Sequence, residues 1–382
     1  MMNTKIVVAT IVVVVIIAAA ATVVVMNNNG EKEYEYDPSK GWYSWDPITL
    51  ETKTSYFSIT PLLTTGVEKM YEDIYGEKVD YSKYTIDDVP GDFLSYESLI
   101  VSVNENNVVV NSTVRESSAS SGGVAIKTTV DKCPDNLLCT AGYAATLYTL
   151  LEMKYGASTA ETKLWDYVYG LDKSSFPGQS ADMKALYGLT IPEDVISITS
   201  TYSLISNLEA YVDYVGGATS NGESFVMMAS GALGNDYSEL GPFYNVLESA
   251  NGPASSVFFF SNNIGDVLAA FEVVGAIYDL EDQAKQYIDN IRLTLYSINQ
   301  ESLAHNAGYT VYLESNSGTA CGNGTITSGA FELLGLSNIN TTDQWQTISE
   351  EVIIDKMPNV IIFYDNNTKS WDERMRVGSS VI

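Results

Sequence analysis

Basic residues, histidine and cysteine are scarce in this chain of 382 residues, and each shortage closes off a class of function. Twenty Lys and Arg face 48 Asp and Glu, a formal net charge of −28. A surface of that sign repels a phosphate backbone, so no nucleic-acid partner is expected. The single histidine, His305, cannot assemble the several imidazoles that a free zinc or manganese ion asks for. Standing alone after a long helical stretch, it reads as structural. The three cysteines, Cys133, Cys139 and Cys321, form no CxxC pair, which removes zinc ribbons and dithiol redox motifs. In an oxidising medium a Cys133–Cys139 disulfide with Cys321 left single is open; in a reducing one all three stay thiols. There is no GxSxG elbow, P-loop or HExxH. An enzyme is therefore the least favoured class, and no catalytic residue, resident metal or cofactor is expected.

What the chain does have begins at its N-terminus. Ile6 to Met26 is an apolar run broken only by two threonines, with Lys5 before it and Glu31, Glu33, Glu35 and Asp37 after it. As a helix rising 1.5 Å per residue it spans about 30 Å, the thickness of a hydrocarbon core. The positive-inside bias puts Lys5 in the cytoplasm and the body outside. The run reads as an uncleaved membrane anchor in preference to a signal peptide cut after the Ala18–Ala21 run. Residues 27–47 are a polar tether. Then come a strand-like stretch (49–60), a helix-like GVEKMYEDIYG (66–76) and a hairpin around an Asn-rich turn (98–114), with a Ser/Gly loop tip at 117–123. Sequons at Asn111, Asn323, Asn340 and Asn366 are no more than chance supplies in so Asn-, Ser- and Thr-rich a chain.

From about residue 124 the pattern changes to strands alternating with helices. VAIKTTV reads as a strand, and NLLCTAGYAATLYTLLEMKYG (136–156) as a strand, a small-residue turn and a helix ending at Gly156. SFVMMAS and SVFFFS are apolar runs that stop in small polar residues, as buried parallel strands do. A helical stretch follows from Ile264 to about Ala304 with a break near Asp279. In its second part Ala284, Tyr287, Ile288, Ile291, Leu295 and Ile298 form one apolar stripe. After Gly308 come a strand, a glycine-rich loop, a helix, and then ISEEVIIDKMPNVIIFYD (348–365), a short helix, a break at Pro358-Asn359 and a buried strand. The fold class read from this order is α/β: two lobes joined by one long helix, after an N-terminal transmembrane helix and an extra hairpin-bearing region. The expected boundaries are 48–278 for the first lobe, with 48–115 as the extra region, 279–304 for the connecting helix and 308–382 for a shortened second lobe.

Three segments resemble a known family: the helical-backbone solute-binding proteins of ABC importers, which serve siderophore-iron, haem and cobalamin uptake. DVLAAFEVVGAIYDLEDQAKQYIDNI (266–291) is similar to that family's region around the connecting helix. GAFELLGLSNIN (329–340) resembles its helix, leucine-glycine, asparagine segment, and 348–365 resembles its Ser-Glu-Glu helix and buried strand, with Pro358-Asn359 in altered order. The resemblance covers roughly 124–365. It implies a metal chelate (a ferric siderophore, haem or corrinoid) as ligand, an ABC permease as partner and a largely preformed cleft. The family's first lobe usually carries a permease-docking Glu where this chain has Thr146; Glu332 is the second-lobe counterpart. The alternative function is a surface interaction or cell-wall protein that uses the fold without a small ligand.

In α/β sheets ligands gather at the carboxyl ends of the strands. The candidates there are Thr140, Gly142 and Tyr143; Ser230 and Gly231; Asn262 and Asn263; Ser315 and Asn316; Tyr364 and Asp365. Small polar residues also end strands for purely local reasons. Tyr143 and Tyr364 are the preferred ones, because a phenol oxygen also ligates ferric iron. Cys139 and Cys321 lie near the same loops, where buried free thiols are a simpler account than a soft-metal site.

Overall fold

The structure is a computed structural model. It describes residues 20–26, 35–37, 42–44, 47–51, 61–115, 123–172, 188–198, 208–230, 254–259, 263–305, 307–315, 319–343 and 345–365. In chain order the strands are β1 (Ala20–Met26), β2 (Glu35–Asp37), β3 (Trp42–Ser44), β4 (Pro47–Glu51), β5 (Ile100–Val103), β6 (Asn107–Arg115), β7 (Gly123–Asp131) and β8 (Asn136–Thr140). They continue with β9 (Val168–Asp172), β10 (Ile196–Ile198), β11 (Phe225–Ser230), β12 (Ala254–Phe259), β13 (Thr310–Ser315), β14 (Ser337–Asn338) and β15 (Val360–Asp365). The helices are α1 (Pro61–Tyr75), α2 (Ala141–Tyr155), α3 (Ala157–Tyr167), α4 (Leu208–Ala218), α5 (Ile264–Ile277), α6 (Glu281–His305), α7 (Ile326–Leu333) and α8 (Glu350–Lys356).

The first lobe is built on an all-parallel sheet in the order β10-β9-β8-β11-β12. Parallel strands are covered on both faces, so their sequences run apolar without alternation. Leu137, Leu138, Cys139, Phe225 to Ala229 and Val257 to Phe259 are all buried. VAIKTTV does not join this sheet. As β7 it pairs antiparallel with β6 along Asn107–Arg115, and β6 pairs with β5, so the extra region has its own three-stranded sheet reaching Asp131. Alternation decides the matter: in β7 half-buried and exposed positions follow one another from Val124 to Thr129, the signature of a strand covered on one face only.

The second lobe has a mixed sheet in the order β14-β13-β15-β1-β4. The break before β15 sets its register. Asn359 Oδ1 accepts from Thr310 N (2.9 Å) and Thr310 Oγ1 (3.1 Å), which locks β15 beside β13 with Val311 opposite Val360. Two expectations are corrected here. A transmembrane helix was expected over 6–26, yet Ala20–Met26 is a strand, antiparallel to β15 on one side and to β4 on the other; residues 6–19 lie outside the described residues. The β-branched run Thr22-Val23-Val24-Val25 suits a pleated strand as well as a lipid-facing helix, and periodicity cannot separate the two. Residues 48–51, expected in the first lobe's extra region, form β4 of the second-lobe sheet together with Pro47 of the tether. No helix among the described residues is long and apolar enough to cross a membrane.

The long helical stretch breaks as expected. α5 ends at Ile277, Asp279 takes φ +54°, and α6 starts at Glu281. Gly275 makes the tight junction: a Cβ there would sit 2.5 Å from that of Ala284. Ala284, Ile288, Ile291, Leu295 and Ile298 are buried along the predicted stripe, with Tyr287 half-buried and stacked on Phe271.

Candidate ligand-binding cleft

The parallel strands bring their carboxyl ends into one row. Thr140 lies opposite Asp172, and Ser230 opposite Phe259. In the second lobe Ser315 lies opposite Tyr364 at the same end of its sheet. The two regions meet: a Cβ on Gly329, in the first turn of α7, would lie 3.8 Å from Ile264 Cδ1, at the start of α5 just beyond β12. Thr140, Ser230, Ser315, Tyr364 and Asp365 therefore stand at strand ends. Gly231, Asn262 and Asn316 lie outside the described residues.

Two candidates are placed elsewhere. Tyr143 is a core residue, 6% exposed, with its ring 4.8 Å from that of Phe259. Burial pushes its phenol well above the usual tyrosine range, so it is a poor source of the phenolate a ferric ion takes. The physical reason is helical phase: α2 starts directly at Ala141, and its third residue turns inward onto β12. Asn263 is exposed, but its side chain accepts from Asp266 N (2.9 Å) while Asp266 Oδ2 accepts from Asn263 N (3.2 Å). This capping box closes the start of α5 and occupies the amide oxygen. Gly142 is buried in the first turn of α2, where its carbonyl accepts from Thr146 Oγ1 (3.1 Å). Thr146 is itself 1% exposed. The position that resembles the family's docking Glu thus faces the core, whereas Glu332 on α7 is exposed.

Sequence reasoning missed the polar network under the second-lobe loop. Cys321 Sγ lies 3.0 Å from Thr325 Oγ1, Asn338 Nδ2 donates to Cys321 O (2.7 Å), and Asn340 Nδ2 donates to Ala320 O (3.1 Å). The clustered Asn338-x-Asn340 after a leucine-glycine turn was the available signal. Burial pushes the Cys321 thiol up to about 12, which keeps it protonated and inert. Cys133, Cys139 and Cys321 are in no disulfide, so the Cys133–Cys139 bridge is not formed. Among the described residues no group of three or more His, Cys, Asp or Glu is placed to hold a metal ion. Two cavities, of about 270 and 660 Å³, lie along α6; the larger runs between Tyr96, Glu272, Ile288 and Arg292.

With two lobes, a helix between them and strand ends meeting at α5 and α7, the comparison with known families is informative. Residues 225–376 match the periplasmic binding protein family. That span includes all three resembling segments, so the resemblance is borne out over it, and the matched family is one of solute binders rather than enzymes. No curated protein matches the chain by sequence. Among solved structures, the chain is similar to a periplasmic binding protein from Veillonella parvula (11% identity, 68% of this chain and 73% of that one, TM-score 0.45). It is also similar to the petrobactin-binding protein YclQ of Bacillus subtilis (17%, 64% and 74%, TM-score 0.41). A third is the vitamin B12 binding protein BtuF of Vibrio cholerae (15%, 60% and 75%, TM-score 0.39).

Proposed function

We propose that this protein is the outward-facing solute-binding component of an ABC importer and captures a metal chelate, a ferric siderophore, haem or corrinoid, between its lobes. The observation that carries the reading is the family match over 225–376, which runs from the last strands of the first lobe through α5 and α6 into the second. A bulky chelate brings most of its own coordination shell. Its cleft needs shape, hydrogen-bond donors and aromatic walls rather than a set of metal ligands. The proposed contacts are Thr140, Ser230, Gly231, Ser315, Asn316, Tyr364 and Asp365, together with Asn262, and Glu332 is the proposed permease-docking residue.

The test is native mass spectrometry of the protein with ferric siderophores, haem and cobalamin, with melting followed in parallel. A ligand at a thousand times its dissociation constant adds about 4 kcal/mol. Retention of one chelate with that shift supports the reading. A folded protein that retains none of them overturns it in favour of a surface protein without a small ligand. Membrane attachment through residues 6–26 is part of the proposal and competes with β1 for Ala20–Met26. A bilayer-spanning helix needs about 20 residues, more than Ile6–Ala19 supplies. The attached protein stays in the membrane fraction after alkaline carbonate washing; release into the soluble fraction removes the anchor and leaves β1 in the sheet.

A further inference from the structure

The extra region does not hang from the first lobe. It runs along the long helix and touches both lobes. Its path starts at the second lobe, where the Tyr75 hydroxyl donates to Leu334 O (2.6 Å), just beyond α7. The Tyr75 ring stacks on His305 at 4.1 Å and 8°, with Tyr309 on the same pile at 6.4 Å. Beside it Tyr71 Oη and Glu77 Oε1 lie 3.1 and 3.0 Å from His305 Nε2, at the last residue of α6. One turn back along α6, buried Glu301 accepts from Lys83 Nζ (2.6 Å) and Tyr84 Oη (2.9 Å). Further back, Arg292 donates to the carbonyls of Pro90 (2.8 Å), Gly91 (3.1 Å) and Phe93 (3.0 Å). The path then crosses to the first lobe. The Ser95 carbonyl lies 2.5 Å from where a Cβ on Gly265 would be, and Ser98 Oγ donates to Glu272 (2.7 Å). It ends at Ser112, whose hydroxyl bonds both the N–H and the carbonyl of Phe258 on β12.

A single helix between two bodies lets them twist or bend at its ends. A second connection, offset from the helix and fastened at both ends, removes that freedom, because opening or closing the lobes must then compress or stretch it. We propose that residues 71–112 are a brace that sets the angle between the lobes, with Tyr75 as the positioning residue that fastens it to the second lobe. Each fastening is made in the manner that holds. Glu301 is a buried charge with both oxygens satisfied, and Arg292 presents its fork to a turn of carbonyls. Burial lifts the Tyr75 phenol up to about 12, so it remains a donor across the physiological range. For the proposed importer, on which this consequence rests, cleft width would be held by the brace before any ligand arrives.

The experiment measures the distance between one spin label on each lobe in the full chain, at Glu223→Cys and Lys356→Cys in a Cys133→Ser background. The unsubstituted brace gives a narrow distribution. Tyr75→Ala widens it by more than about 2 Å, the scale of ordinary interdomain rearrangement. Tyr75→Phe keeps the ring and guards against misfolding of the alanine variant. It speeds amide exchange at Gly335 and Leu336 about fivefold, as loss of one hydrogen bond does. Distance distributions unchanged in a folded Tyr75→Ala protein, or unchanged exchange in Tyr75→Phe, overturn the brace. Ligand is absent throughout, so a widened distribution in a protein that retains no chelate keeps the brace and discards the transport reading.

Discussion

The two lobes close the open edges of their sheets in different ways. In the first, β12 has a strand partner on one side only among the described residues, and its other edge is met by a neighbouring sheet. There two hydroxyls, those of Ser112 and Thr113, serve the backbone of Phe258. In the second lobe β15 gains a true partner, β1, from the other end of the chain, and β1 gains β4 in turn. One edge is capped by side chains and the other by a ladder of backbone bonds. An unpaired strand edge is a template for association, so both devices answer the same hazard. The lobes differ in the same way at the two positions considered for permease docking, with Thr146 folded inward and the proposed docking residue Glu332 displayed.

The largest expected effect breaks the packing that the first edge depends on. Phe258→Ala removes a ring packed with Tyr211 and Phe225 and costs about 3–5 kcal/mol in chemical denaturation. A loss below about 1 kcal/mol means that β12 is not seated against that cluster. Next, Thr146→Glu tests whether the first lobe could display a docking carboxylate. At 1% exposure the carboxyl is forced neutral, its folded pKa lies above the unfolded value, and the penalty is several kcal/mol at neutral pH. The linkage has a definite sign: the folded state binds the extra proton, so stability falls as pH rises between the two pKa values and recovers on acidification. A pH-independent loss would mean steric disruption instead.

Val24→Pro sharpens the contrast between the edges. Val24 is paired with Ile361 on one side and Thr49 on the other, so proline there breaks a ladder at about 2–3 kcal/mol. Hydrogen exchange should rise in β15 and not in β12. An unchanged β15 would free residues 20–26 for the bilayer. Ser112→Ala is the smallest, about 1 kcal/mol, because it takes the hydroxyl from the Phe258 N–H while the Phe258 carbonyl keeps Thr113 Oγ1 (3.4 Å). Faster exchange at Phe258 without change in β15 is the check.

Much of this was legible along the chain. The break at Asp279, the stripe from Ala284 to Ile298, the helix ending at Gly156 and the strand after Pro358-Asn359 all stand where local pattern put them. Periodicity, glycine and proline report on the nearest few residues, and those features are local. The candidate cleft was legible as strand ends and no further. Whether Tyr143 faces ligand or core depends on where in its turn α2 begins, a phase that one residue shifts. VAIKTTV was legible as a strand, but its sheet was not, because a strand's sequence does not name its partner.

The sequence by itself determined the α/β class, the long helix after Asp279 and the absence of a catalytic motif, because each follows from composition or from spacing within one element. Only the tertiary structure decided that Ala20–Met26 pairs with β15, that Thr146 lies in the core, and that the extra region passes along the helix from Leu334 to Phe258. Those pairings join residues far apart in the chain. Their free energy comes from apolar surface and backbone groups that find each other only once the chain is compact, and no local pattern encodes that meeting.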